Sequence, residues 1–153
     1  MCIRDRTARD LVERMRDEGG VADGILRQRL VDAYIEGEIL RYHRMRMISA
    51  AVNKKPGPDA SLRKALADPH GKRVFNLSRD LMGAGGMLQD GPADGDWEQW
   101  ARGFLFSPAL TVGGGTSEVL RNVISERLLG LPHDQDVEAG KTWAETRGAA
   151  TAV

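Results

Sequence analysis

Three consecutive glycines, Gly113-Gly114-Gly115, run directly into Thr116-Ser117-Glu118 and a short apolar-patterned segment ending at Gly130-Leu131-Pro132. Residues without Cβ atoms let the backbone approach another group closely. Thr116 or Ser117 can cap the unpaired N–H groups of the turn that follows, and Glu118 suits the positive end of a helix dipole. Val119, Leu120, Val123, Ile124 and Leu128 then fall at helical spacing, with Arg121, Asn122, Ser125 and Glu126 on the other side. Gly130 followed by Pro132 ends that helix. The rest of the chain has to supply a surface on which such a loop and helix can rest.

The remaining pattern is helical throughout. Residues 7–18 read as the polar-faced end of a helix carrying Leu11, Val12 and Met15, stopped by Gly19-Gly20. From about 22 to 52 one long helix places Leu26, Leu30, Ala33, Gly37, Leu40, Met47 and Ala51 on near-heptad spacing, and Val31, Ile35 and Ile39 are expected to widen that packed stripe. Asn53-Lys54-Lys55-Pro56-Gly57-Pro58 breaks the chain and lets the next helix, about 59–82, run antiparallel. Pro69 within it predicts a kink or a short interruption. Gly83-Ala84-Gly85-Gly86 and the acidic stretch Gln89 to Asp96 form a long turn before a shorter helical region near 96–107, which Ser107-Pro108 breaks. The last helix covers about 115–129. With no strand pattern and no internal repeat, the expected fold is all-α, an antiparallel four-helix up-and-down bundle over residues 7–132 with a polar tail over 133–153 that carries Trp143.

At 153 residues this is one domain, and its 22 basic and 22 acidic residues leave no net field to attract nucleic acid or an anionic membrane. No apolar run approaches the roughly 20 residues that span a bilayer. The single cysteine, Cys2, cannot form an internal disulfide, and with no secretory or lipidation signal a cytoplasmic protein is expected. Met1 to Arg6 resembles a translated adapter remnant, which would place the natural start of the chain further upstream.

The segment from Gly113 to Pro132 closely resembles the signature near the end of acyl-CoA dehydrogenases, flavoproteins that desaturate acyl-CoA thioesters between Cα and Cβ. Arg27 to Glu38 is similar to the long helix of that family's C-terminal domain, and Lys55-Pro56-Gly57-Pro58-Asp59-Ala60-Ser61 resembles the joint before its next helix. This likeness implies the C-terminal helical domain of a homo- or heterotetrameric enzyme, with acyl-CoA as substrate, FAD as cofactor and an external electron acceptor. The family's contact to the flavin nucleotide maps onto Gly115, Thr116, Ser117 and Glu118. A second contact, to the flavin of the adjacent subunit, maps onto Asp80, Gly83 and Ala84; here Asp replaces a glutamine and Ala a glycine. An ionised Asp lacks the N–H donors of an amide and repels a diphosphate.

The catalytic position departs further. Many members carry a glutamate immediately before the Gly-Thr-Ser triplet to abstract the α-proton, and here that position is Gly114, so no catalytic residue is assigned. Other members place the base on a preceding helix, and some subunits of heteromeric members carry none. His43, His70 and His133 form no metal-ligand spacing, and no Glu-x-x-His pair suggests a carboxylate-bridged metal site. Two functions therefore remain open: the FAD-contacting, oligomerising domain of an acyl-CoA dehydrogenase-like oxidoreductase, inactive in isolation, or a non-catalytic bundle serving as scaffold or partner subunit in a heteromeric enzyme.

Overall fold

A computed structural model describes residues 7–54, 57, 59–87, 96–133, 138–142 and 144–146. The Met1–Arg6 remnant, most of the Gln89 to Asp96 turn, Lys55, Pro56 and Pro58 of the joint, and Trp143 of the tail lie outside the described residues. All regular structure among those described is helical: α1 (Ala8–Asp17), α2 (Gly24–Val52), α3 (Asp59–Met82), α4 (Asp96–Phe106) and α5 (Ser117–Arg127), with 3₁₀ turns at Gly83–Met87 and Ser107–Thr111. Four helices were expected, and the described residues form five. The extra one is α1, a closed helix with its own cap: the Thr7 N–H donates to Asp10 Oδ2 at 2.6 Å while the Asp10 N–H returns to the Thr7 hydroxyl.

α1 also reaches further into the protein than a polar-faced helix end would. Ala8, Leu11 and Met15 are buried, Leu11 completely, and they join Leu30 and Ala33 of α2, Val74, Phe75 and Leu77 of α3 and Trp100 of α4 in one core. Gly19 and Gly20, both at φ +93°, let the chain leave α1 in a left-handed turn. Asp23 then caps α2 by accepting from the Ile25 and Leu26 N–H groups at 2.7 and 2.9 Å.

α2 carries apolar residues on two sides. Leu30 and Ala33 face the core, but Val31, Ile35 and Ile39 are 45%, 50% and 57% exposed, so they do not widen the packed stripe as expected. They continue through Tyr42, Met45, Ile48 and Val52 as a second, outward stripe. Apolar residues fall on opposite sides because α2 packs on α1 and α3 along one side only.

α3 is the helix on which α2, α4, α5 and both 3₁₀ turns pack. It is continuous through Pro69, so of the kink or short interruption expected there the interruption does not occur. Side-chain ties flank the proline on either side. Lys64 pairs with Asp68, and Glu36 of α2 accepts from His70 at 3.0 Å and from Arg73 at 2.7 Å. Burial pushes the Glu36 carboxyl upward, yet the hydrogen bonds and charges of His70 and Arg73 outweigh it and hold the group below its ordinary range. The C-terminal half of α3 meets α4 through Phe75 and Trp100, edge to face with ring centroids 5.9 Å apart.

α5 behaves differently from its sequence pattern. Leu120 is buried, but Val119 is 53% exposed and Leu128 39%, since only one side of α5 rests on α3. Its end matches expectation: Gly130 sits at φ +67° and the Leu131 N–H reaches back to the Ser125 carbonyl at 2.9 Å.

A Cβ placed on Gly103 of α4 would lie 2.1 Å from the Phe75 ring, whereas one on Gly85 meets nothing within 4 Å. Gly103→Ala should therefore destabilise the fold by about 1–3 kcal/mol through overpacking, with Gly85→Ala nearly neutral. Equal midpoints for the two variants in urea unfolding would contradict this packing.

Candidate functional site

The glycine loop is built from the end of the second 3₁₀ turn. The Gly113 N–H donates to the Ala109 carbonyl at 2.8 Å, turning the chain back toward α3. Gly114 and Gly115 then adopt φ +75° and +107°, a region that L side chains rarely enter. Thr116 is extended at φ −68°, ψ 164°, and acts as the N-cap of α5, its hydroxyl accepting from the Val119 N–H at 3.4 Å. The Glu118 carboxyl stands in the first turn, held below the ordinary carboxylate range by its own backbone N–H and by the Thr116 side chain. Gly115, Thr116, Ser117 and Glu118 thus come together at one helix start, where backbone N–H groups and two hydroxyls are concentrated.

Two residues that sequence reasoning passed over hold this loop. The Lys64 ammonium of α3 donates to the Gly115 carbonyl at 3.0 Å and to the Leu110 carbonyl at 3.4 Å, and it pairs with Asp68 one turn further along. Lys64 and Asp68 stand at the i, i+4 spacing of an ordinary helical ion pair, which names no partner beyond α3. The tie of Lys64 to a loop some fifty residues away has no sequence signal.

The second set lies elsewhere. Asp80 ends the exposed face of α3, while Gly83, at φ +57°, and Ala84 open the first 3₁₀ turn. Asp80 and Gly83 line an open groove of about 510 Å³ together with Asp23, Leu26 and Arg79. Asp80 is not a bare negative charge: its carboxylate accepts from Arg29 of α2 at 2.7 Å. From Lys64, under the glycine loop, to Asp80 is about 24 Å along α3 at a rise of roughly 1.5 Å per residue. The structure does not bring the two sets together in one chain.

Two of the histidines make side-chain contacts: His70 meets Glu36 of α2, and His133 Nδ1 lies 2.6 Å from Glu126, tying the chain after Pro132 back to α5; both ring nitrogens of His43 are buried without a hydrogen-bond partner. Among the described residues no group of three His, Cys, Asp or Glu side chains comes together, and no helix is long and apolar enough to cross a membrane.

The acyl-CoA dehydrogenase C-terminal domain family matches residues 5–129, and the chain belongs to that family. It is 32% identical over 129 residues to acyl-CoA dehydrogenase IpdE1 of Mycobacterium tuberculosis, covering 84% of this chain and 32% of that protein. Against IpdE1 of Mycolicibacterium smegmatis the identity is 30% over 125 residues, covering 82% and 30% respectively. Among solved structures it is similar to the Tcur3481–Tcur3483 steroid ACAD, with a TM-score of 0.69 at 28% identity over 83% of this chain and 34% of that one. The ChsE4–ChsE5 complex of Mycobacterium tuberculosis gives 0.66 at 26% identity, over 87% and 35%. The chain thus spans about a third of the length of these relatives.

A side chain at position 114 would meet only the Lys64 stem, its Cβ 3.5 Å from Cε, so space is not the obstacle there. The obstacle is the backbone. Gly114→Glu should cost about 1–2 kcal/mol, the usual penalty of a left-handed conformation for an L-residue, without loss of helix content. A thermal midpoint equal to or above that of the parent chain, measured by circular dichroism, would show that the loop accepts a side chain without strain.

Proposed function

We propose that residues 7–132 are the C-terminal, flavin-contacting and oligomerising domain of an acyl-CoA dehydrogenase-like oxidoreductase that desaturates acyl-CoA thioesters between Cα and Cβ, with residues 133–153 a polar tail. The observation that carries this reading is the Gly113–Glu118 turn, mounted at the start of α5 in a chain that belongs to the family. The donor set suits FAD. Thr116 and Ser117 offer hydroxyls and first-turn N–H groups to an electron-rich ligand, and Gly114 and Gly115 put no Cβ in its path.

Bound FAD supplies the hydride acceptor for the substrate Cβ. This chain's own part is to bind and orient. Thr116 and Ser117 hold the nucleotide on one face of the domain, while Asp80, Gly83 and Ala84 reach toward the flavin of an adjacent subunit. With Arg29 offsetting the Asp80 charge, the groove there is less hostile to a diphosphate than the lone Asp suggested. Position 114 provides no proton acceptor, so the α-proton leaves to a base on another part of the assembly. The enzyme works in the cytoplasm and returns its electrons to an external acceptor.

A second reading has its own support. Gly114 at the family's base position favours a non-catalytic partner subunit in a heteromer, and the similarity to ChsE4–ChsE5, a complex of two different chains, and to the doubly named Tcur3481–Tcur3483 protein fits such an assembly. In either case the outward stripe of α2 is the contact surface. An unpartnered apolar face of that length draws in other chains.

The 153-residue chain alone should be colourless after purification. Thr116, Ser117 and Glu118 offer a few hydrogen bonds worth a net ~0.5–1.5 kcal/mol each, against about 8 kcal/mol for micromolar affinity. A yellow preparation with stoichiometric flavin that oxidises acyl-CoA would overturn the isolated-domain reading. Photolabelling with an azido-FAD should mark the peptide containing Gly113 to Arg121, and labelling confined to other peptides would remove the flavin contact from this loop.

Self-association should also be visible in sedimentation velocity and should weaken in an Ile35→Glu, Ile39→Glu double variant. A parent chain that stays monomeric at every concentration would argue against the α2 stripe as a contact surface.

A further inference from the structure

Lys64 is one cation with three partners drawn from three places: Asp68 one turn along α3, the Leu110 carbonyl at the end of the second 3₁₀ turn, and the Gly115 carbonyl in the glycine loop. Its side chain is 24% exposed and that of Asp68 17%, so water competes poorly for these charge-assisted bonds. The spread of partners matches the compact three-donor ammonium of lysine better than a planar guanidinium.

The contact with Gly115 has a directional consequence. The described peptide bonds are all trans, and in a trans peptide the C=O and the following N–H point in opposite directions. Drawing the Gly115 carbonyl down onto Lys64 therefore turns the Thr116 N–H away from α3. Gly114 and Gly115 impose little steric preference of their own, so this peptide would rotate readily without the ammonium beneath it.

We propose that Lys64 is a positioning residue for the flavin contact: it locks the Gly115–Thr116 peptide so that the Thr116 N–H faces outward, ready to donate to the ligand. Asp68 holds the ammonium in place through their ion pair. The role rests on the flavin-contact reading, and it acts through the loop rather than by touching the ligand.

The test uses the 153-residue chain, isotope-labelled for nuclear magnetic resonance, in a Cys2→Ser background. Lys64→Met removes the donors but keeps the length of the side chain. Lys64→Cys, before and after aminoethylation, removes the ammonium and then restores it. In the parent the Thr116 amide should show an order parameter near the rigid value of about 0.85, falling below about 0.6 in Lys64→Met and in unmodified Lys64→Cys. Aminoethylation should bring it back, with the amides of α2 and α4 unchanged throughout. Titration with FAD should shift the Thr116 and Ser117 amides, and the apparent affinity should drop about threefold to tenfold without the ammonium, the worth of one hydrogen bond. An unchanged Thr116 order parameter in Lys64→Met overturns the proposal, and so does an equal response to FAD. A general loosening of α2 and α4 that aminoethylation does not reverse also overturns it, by making Lys64 a plain stability residue. If the parent loop shows no response to FAD while its rigidity still depends on Lys64, the locking stands and the flavin reading of the loop falls.

Discussion

The seating of α4 on α3 depends on a missing side chain. Gly103 leaves room for the Phe75 ring, and the ring in turn meets the edge of the fully buried Trp100. Close approach at that point sets the height of α4, and the 3₁₀ turn that follows α4 is pulled against α3 so tightly that a Cβ on Gly71 would come within 2.9 Å of Leu110. The glycine loop begins two residues beyond that turn. Its position thus rests on the fit of Phe75 against Gly103 at one end and on the Lys64 contacts at the other.

α3 can accept this load because it is held along its whole length. Its C-terminal half lies in the core with Val74, Phe75 and Leu77, while its N-terminal half carries Lys64 and Asp68 under the loop. Between them, Glu36 of α2 grips His70 and Arg73 beside the proline that would otherwise be the weak point. A rigid central helix with a polar clasp at its middle transmits position from the hydrophobic end to the end where the loop sits.

Much of this was legible in the sequence because it is local. Helix limits followed from Gly19-Gly20, Thr116 and Gly130, whose capping and turn preferences act within a few residues, while the Asp23 cap of α2 went unread. The glycine loop and its helix were readable for the same reason. The illegible parts are tertiary. Leu11 and Met15 in a strongly charged stretch looked like a helix end, and only packing shows them in the core. Val31, Ile35 and Ile39 have the same chemistry as Leu30 and Ala33, so periodicity could not tell which stripe of α2 this chain covers. Asp80 looked like an isolated misfit until Arg29, far away in sequence, was found beside it. Lys64 carried no special signal at all, since nothing in its neighbourhood names Gly115.

The spacing of the two candidate flavin contacts along α3 has a genetic corollary. If each ligand is completed by the glycine loop of one chain and the Gly83 turn of another, a lesion at Thr116 and a lesion at Gly83 damage different composite sites when they reside in different polypeptides. In a mixed assembly some sites would collect both lesions and others neither. Two defective alleles of such a gene would then complement one another, whereas both changes in one allele would not spare an assembly made from that allele alone.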